Sequence, residues 1–339
     1  MDMVRAAVVG VGLFGQNHAR AYSQYHRSRL VCVCDTDAER AKAVAATYRC
    51  DYTTNVSEVA CSSLIDVVSV ATPDFAHLDP CLALAEGGKH LLVEKPLAMS
   101  SADATRIRDA AASRGLKLMV DFHNRWNPPF VRAKEEILAG RLGEPVTGYA
   151  RLSNPLSVPL EMLSWSGRSG PQWFLMPHTL DLVRWLLGRE AESVYAVGHR
   201  GVLSSKGVDS WDSIQAMVRF GDACVTFESS WILPNSHPSV IDFQVSLLGT
   251  QGKLRAILDE TGLEVEAERF GYADFGGSRL SHGRWEGFIY EPIRHFVDCV
   301  ADDRTPDVTA DDGIAATATI EAILRSLASG SPEPVQVPH

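Results

Sequence analysis

Two groups of residues in this chain have the types and spacing that chemistry requires. The first is Gly10-Val11-Gly12-Leu13-Phe14-Gly15, set between the apolar run Arg5–Val9 and a helical stretch. In that setting the first glycine permits a tight turn, and the second lets the backbone approach a diphosphate. The third allows close helix–strand packing. The helix start, with Leu13 and Phe14, offers free amide donors and a partial positive charge. Asp35 lies twenty residues beyond Gly15, after the second apolar run. A carboxylate there accepts hydrogen bonds from the adenosine ribose and repels a 2′-phosphate, so NAD is expected ahead of NADP. Arg40 softens that discrimination, and the bland alternative for Asp35 is a helix cap.

The second group is Glu94-Lys95-Pro96 together with His178. A lysine that ends a parallel strand on the rim of the glycine turn is partly desolvated and near a positive nicotinamide ring. Both effects lower its pKa toward the range useful for proton transfer. Taken alone, Lys95 would read as a surface lysine at a strand end. Pro96 stiffens the turn and is compatible with a preceding cis bond. Pro177 suits the first helical position, which puts His178 in the first turn and on one stripe with Asp181, Leu182 and Trp185. A neutral imidazole can take or give a proton. His178 and Asp181 alone are too few for a metal centre, and no metal is expected. Ala71-Thr72-Pro73 closes another strand, at a rim where ligand loops gather. His77 follows one turn into the next helix, either as a cofactor contact or as an edge residue.

These groups must be positioned by regular elements. Apolar runs at Arg5–Val9, Leu30–Cys34, Val67–Ala71, His90–Val93 and Leu116–Val120 alternate with helical stretches such as Ala38–Tyr48 and Ala102–Ser113. Near-continuous apolar strands separated by helices predict a doubly wound parallel sheet covered on both faces. Beyond residue 121 the pattern changes to period-2 alternation in Ser213–Phe220, Ala223–Trp231 and Ile241–Leu247. That alternation predicts a largely antiparallel sheet. Helices at Pro128–Ala139, His178–Leu187, Pro292–Val300 and Asp311–Leu327 are expected to cover one of its faces. The other face is expected to serve as a subunit interface, giving a homodimer or homotetramer. The tail Ser329–His339 reads as loosely ordered. The fold class is therefore α/β, with residues 1–121 as a dinucleotide-binding domain. Residues 122–339 are expected to be a substrate-binding and oligomerisation domain.

The totals agree with two folded domains: 339 residues exceed what one core usually fills, and 45% are hydrophobic. A net charge of -10 argues against a nucleic-acid or anionic-membrane partner. The start MDMVRAAVVG lacks the features of a signal peptide, and no apolar run reaches the roughly 18 residues of a membrane span. Seven scattered cysteines without a C-x-x-C do not read as a disulfide framework, so a cytoplasmic location is expected.

Gly10–Gly15, Asp35, Ala71-Thr72-Pro73, Glu94-Lys95-Pro96, His178-Thr179-Leu180-Asp181 and Leu248-Gly249-Thr250-Gln251-Gly252 together resemble the glucose–fructose oxidoreductase, inositol dehydrogenase and rhizopine catabolism family. The resemblance spans the whole chain. It implies an N-terminal Rossmann domain and a C-terminal α/β domain with an open sheet. It also implies oxidation or reduction of a secondary hydroxyl of a sugar, cyclitol or related polyol with a nicotinamide dinucleotide. By that resemblance, Lys95 and His178 are the catalytic pair, and Glu94, Lys95 and Pro96 contact cofactor. The segment from Asp121 to Pro128 corresponds to the crossover that contacts substrate and nicotinamide, which makes His123, Asn124 and Arg125 candidates. Trp165 and Trp173 (and Trp285) could stack on a sugar ring, although each also fits ordinary core. His282 and Tyr290 lie near a glycine-rich stretch, Gly271–Gly283, that reads as a covering loop.

One position departs from the family pattern. An aspartate usually stands four residues before the histidine, and here that residue is Phe174. Either Lys95 and His178 suffice, or Asp181 orients the imidazole, or redox activity is weakened. Two further functions therefore stand beside a dehydrogenase: a redox-neutral NAD-dependent lyase or glycosidase, and a redox-dead NAD sensor.

Overall fold

The structure is a computed structural model and describes residues 3–258, 264–266, 270–272 and 276–338, the two three-residue segments by backbone alone. It divides into two compact units. The first comprises residues 1–126 and 277–314, and the second residues 127–276 and 315–339.

The first unit is built on six parallel strands. These are β1 (Val4–Val9), β2 (Ser28–Cys34), β3 (Asp51–Thr53), β4 (Val67–Val70), β5 (His90–Val93) and β6 (Leu118–Val120), in the order β3-β2-β1-β4-β5-β6. Ala6, Ala7, Val8, Val67, Val68, Leu91 and Leu92 are fully buried, because helices cover both faces and leave no polar alternation. Those helices are α1 (Leu13–Gln24), α2 (Ala38–Tyr48), α3 (Val56–Cys61), α4 (Leu78–Glu86) and α5 (Ser101–Ala112). The order reverses between β1 and β4, so the glycine turn after β1 opens at the switch point, where ligands bind in such sheets.

The second unit holds a seven-stranded mixed sheet. Its main strands are β7 (Pro145–Ser153), β8 (Ser193–His199), β9 (Ser213–Phe220), β10 (Ala223–Ser230), β11 (Asp242–Gly249) and β12 (Lys253–Ile257). Three described helices belong to this unit throughout: α6 (Pro128–Leu138), α7 (Pro171–Phe174) and α8 (Met176–Leu187). Ile214, Ala216, Val218 and Phe220 of β9 are buried against Val225 and Phe227 of β10, as the alternation predicts. β7 pairs parallel with β10 and antiparallel with β11, at the middle of the sheet. On the opposite face the row Tyr195, Met217, Thr226, Tyr149 and Ser246 runs across five strands, with Tyr195 and Met217 exposed.

Two short antiparallel pairs, β13 (Glu264–Glu266) with β14 (Phe270–Tyr272) and β15 (Arg279–Ser281) with β16 (Arg284–Glu286), lead into α9 (Glu291–Ala301). Here the expected layout needs correction. α9 does not cover the second sheet; Ile293, Phe296 and Val297 are buried in the first unit, against α1, β1 and β5. α10 (Ala310–Ser329) likewise starts in the first unit, where Gly313 packs so closely on Leu97 and Val120 that a Cβ would lie 2.9 Å from each. By contacts, residues 277–314 also belong with the first unit, beyond the expected boundary at residue 121. The tail is also more ordered than expected. β17 (Glu333–Pro334) adds an edge strand beside β8, and Ser326 Oγ donates to the Ser331 carbonyl.

Candidate active site

The cofactor half of the site grows from the turn after β1. Gly10 has φ +84°, and a Cβ there would lie 2.6 Å from the Ala71 carbonyl oxygen, so only glycine fits beside the β4 loop. Gly15 is tighter still, with a hypothetical Cβ 1.8 Å from the Gly10 oxygen. A Cβ on Gly12 would meet nothing within 4 Å, and no side chain caps α1. Among the described residues no side chain caps the amides of this first turn, which exposed Leu13 and Phe14 flank. This cradle fits a diphosphate.

Asp35 is buried at the end of β2, where its carboxylate accepts hydrogen bonds from the Val11 and Asp37 amides, both at 2.9 Å. It is not the helix cap, since Asp37 caps α2 by accepting from the Arg40 amide. Arg40 lies 3.3 Å from Asp35 and 3.2 Å from Asp37. Ala71, Thr72 and Pro73 follow β4 on the same rim, and the Ala71 amide donates to the Val9 carbonyl. His77 is fully buried, with Nδ1 2.7 Å from the Pro96 carbonyl and Nε2 2.9 Å from the Thr72 carbonyl. Both ring nitrogens are occupied by chain oxygens. His77 therefore ties two rim turns together and leaves no ring nitrogen for a cofactor.

Lys95 follows β5, is only 4% exposed, and lies 6.0 Å from the Phe14 ring centroid. The Lys95–Pro96 peptide is cis. Glu94 accepts from His18 Nε2 at 3.1 Å and from the Lys95 amide at 3.3 Å. Burial would raise the Glu94 carboxyl, but the His18 hydrogen bond and the nearby positive charges outweigh it and hold it down at about 2. His123 leads a turn after β6 and packs its ring 5.7 Å from that of Phe288. Burial pushes its imidazole down to about 4, so it is neutral at neutral pH. Asn124 is buried in the same turn, whereas Arg125 pairs with Asp312 at 2.9 Å. That pairing engages a guanidinium expected to serve substrate.

The remaining expected site residues lie in the second unit. His178 sits in the first turn of α8, which starts at Met176 with Pro177 in its first turn, and both His178 and Asp181 are buried. Phe174 ends α7, with its ring centroid 6.0 Å from Trp165 and 5.8 Å from Trp231. An aromatic wall therefore occupies the position expected to hold an acid. Trp173 is buried core. The Arg20 guanidinium lies over the Trp285 ring at 4.2 Å in the first unit. Tyr290 is buried and hydrogen-bonds Ser278, while His282 has φ 48° between β15 and β16. Part of the expected covering loop, residues 273–275, lies outside the described residues.

The sequence reading missed His18, Tyr22, Ser69 and Asp121. The available signals were a histidine one turn past Gly15 and an aspartate ending an otherwise apolar strand. The ligand-type atoms of His18, Glu94 and Asp121 lie within 4.8 Å of one another. Hydrogen bonding around one ring nitrogen accounts for that closeness.

Residues 4–122 match the oxidoreductase-family domain described as an NAD-binding Rossmann fold, and residues 134–337 match the family's C-terminal α/β domain. The chain belongs to this family of oxidoreductases, the one that its motifs resemble. Among its relatives is the scyllo-inositol 2-dehydrogenase (NAD(+)) of Bacillus subtilis, 29% identical over 331 residues and 93% of each chain. Another is the 2,7-anhydro-N-acetylneuraminate hydratase of Escherichia coli, 28% identical over 76% of this chain and 69% of that one. The crystal structure of GenD2 from gentamicin A biosynthesis, in complex with NAD, superimposes with a TM-score of 0.86. It is 26% identical and covers 99% of this chain and 97% of its own. Among the described residues, no helix is long and apolar enough to cross a membrane.

Proposed function

We propose that the chain is an NAD-dependent dehydrogenase acting on a secondary hydroxyl of a sugar, cyclitol or related polyol. The observation that carries this reading is a nearly fully buried lysine at the carboxyl end of β5, on the rim of an uncapped glycine turn. NAD, when bound, supplies the hydride acceptor. Gly10, Gly12 and Gly15 hold its diphosphate, Asp35 its ribose hydroxyls, and the Ala71–Pro73 and Glu94–Pro96 turns line its path. Lys95 takes the proton of the substrate hydroxyl, and His178, with Asp181 one turn further along α8, is the second unit's candidate for proton transfer. His123 and Asn124 in the first unit, and Trp165 in the second, are each unit's own candidates for substrate contact.

NAD is favoured over NADP because a bound adenosine ribose would meet the Asp35 carboxylate at the end of β2, although Arg40 beside it lessens the penalty for a 2′-phosphate. Seven unpaired thiols suit a cytoplasmic location. The open face of the second sheet, with Tyr195 and Met217, is the surface for a homodimer or homotetramer. Purified protein mixed with NAD and a panel of sugars and cyclitols is expected to produce NADH absorbance with at least one. A flat trace with every substrate, alongside tight NAD binding, refutes the dehydrogenase.

A second reading draws on the hydratase among the relatives, since hydration leaves no net redox change. Product formed without NADH, from a substrate carrying a leaving group, would establish it in place of the first.

A further inference from the structure

Behind Lys95 lies a chain of buried polar side chains that the cofactor and substrate roles leave unused. It starts in α1, the helix whose first turn forms the glycine cradle. α1 carries His18 and Tyr22 one turn apart, β4 carries Ser69, and Glu94 directly follows β5. His18, Tyr22 and Ser69 are all out of water. Tyr22 Oη lies 2.7 Å from Ser69 Oγ, which lies 2.9 Å from His18 Nδ1. On its other side, His18 Nε2 lies 3.1 Å from Glu94 Oε1, and Asp121 Oδ2 stands further off at 3.5 Å.

The hydrogens of this chain run in one direction. Glu94 is ionised and accepts, so Nε2 carries a hydrogen and donates it. Ser69 is the hydrogen-bond partner of the Tyr22 hydroxyl among the described residues. Were Ser69 to donate to Tyr22, the buried tyrosine hydrogen would be left without an acceptor, which is costly. Tyr22 therefore donates to Ser69, Ser69 to Nδ1, and Nε2 to Glu94. The orientation of the imidazole is set by α1 and β4, behind the rim.

Glu94 carries this order forward. Its second oxygen, Oε2, accepts from the Lys95 amide at 3.3 Å. One carboxylate thus bridges α1 and the backbone of Lys95, with an oxygen for each. On the far side of the same corner, His77 Nδ1 lies 2.7 Å from the Pro96 carbonyl oxygen. The corner is gripped from both sides.

We propose that His18 is a positioning residue that, through Glu94, fixes the Lys95 corner against the helix that begins in the cofactor cradle. A reacting group displaced by about 1 Å loses on the order of 100-fold in rate, so such a bridge bears on kcat. The proposal rests on Lys95 as the base, and its first test is therefore read without turnover.

His18→Gln keeps an amide donor near the position of Nε2, whereas His18→Asn places its amide near Nδ1, short of Glu94. Amide hydrogen exchange, followed by NMR on the full chain, is expected to quicken about tenfold at Lys95 in His18→Asn and to stay within about threefold in His18→Gln. The Val8 amide of β1 should hold its rate in both. Unchanged exchange at Lys95 in His18→Asn overturns the proposal, and so does an equal change in the two variants. If these variants fail to fold, Glu94→Gln replaces them, because an amide offers one oxygen where the bridge uses two. Exchange at Lys95 should quicken there too, and an unchanged rate overturns the bridge.

Kinetics then separates this proposal from the reading it rests on. In His18→Asn, kcat should fall about thirtyfold and recover in His18→Gln, with KM and the Kd for NAD within about twofold of the parent. A loss confined to NAD binding marks a merely structural role and overturns the proposal. If exchange at Lys95 is unmoved while Lys95→Met abolishes turnover, the base stands and the proposal alone falls. If exchange quickens while kcat stays, Lys95 is not the base, and the part of His18 in catalysis falls with it.

Discussion

The two units surround their candidate catalytic residues with opposite kinds of material. Around Lys95 the first unit gathers ionisable side chains, Glu94, Asp121, His18 and His123, nearly all out of water. In the turn before His178 the second unit places Phe174 between Trp165 and Trp231. Buried charge is suited to moving protons, since small changes in charge are felt strongly at low dielectric. A wall of rings is suited to selecting a shape, since it offers area and little charge. The difference teaches that two candidate proton-transfer residues of one chain can be set in unlike surroundings, Lys95 among ionisable groups and His178 next in sequence to a cluster of rings.

The largest effect expected from this division is on Lys95→Met, which should lower kcat/KM on the order of 1,000-fold while the protein stays folded. Steady-state kinetics with circular dichroism checks it, and a fall under tenfold would break the contrast. His178→Gln should cost on the order of 100-fold, mostly in kcat, in the same assay. Gly15→Ala forces a methyl against the Gly10 carbonyl and should cost about 1–3 kcal/mol of stability. It should also weaken NAD binding, and thermal shifts with and without NAD read both effects.

Phe174→Ala tests the aromatic wall. It should raise KM about tenfold and leave kcat nearly unchanged, the signature of lost uniform binding. A fall in kcat at constant KM would instead put Phe174 among the proton-handling groups. The smallest effect concerns His123, whose folded pKa of about 4 lies below its unfolded value near 6.5. Its contribution to stability is complete above pH 6.5 and is lost as pH falls toward 4. Urea unfolding across that range should show a loss on the order of 1 kcal/mol that His123→Gln removes.

The same contrast explains which parts of the site could be read from sequence. The glycine turn, Asp35 and the Glu94-Lys95-Pro96 corner depend on short-range backbone geometry, and local spacing reveals such geometry. His18, Ser69 and Asp121 meet only when α1, β4 and β6 are assembled, and nothing in their local spacing announces it. Arg125 read as a ligand because its partner, Asp312, is 187 positions away. In the fold, the alternation of β9 and β10 was plain because one face of each is wet. β7 was hidden because its buried pattern is irregular, with Gly148 and Tyr149 breaking the alternation. α9 was assigned to the wrong sheet because amphipathicity tells that a face is buried and not against what.

The return of residues 277–314 to the first unit has a consequence for how this chain is made. The parallel sheet lacks Ile293, Phe296 and Val297 until α9 has been synthesised. An emerging N-terminal half therefore waits, with apolar surface open, until strands β7 to β12 of the second unit have been made. Cutting the gene after β6 would yield a fragment short of Ile293, Phe296 and Val297, part of the core of the nucleotide-binding unit.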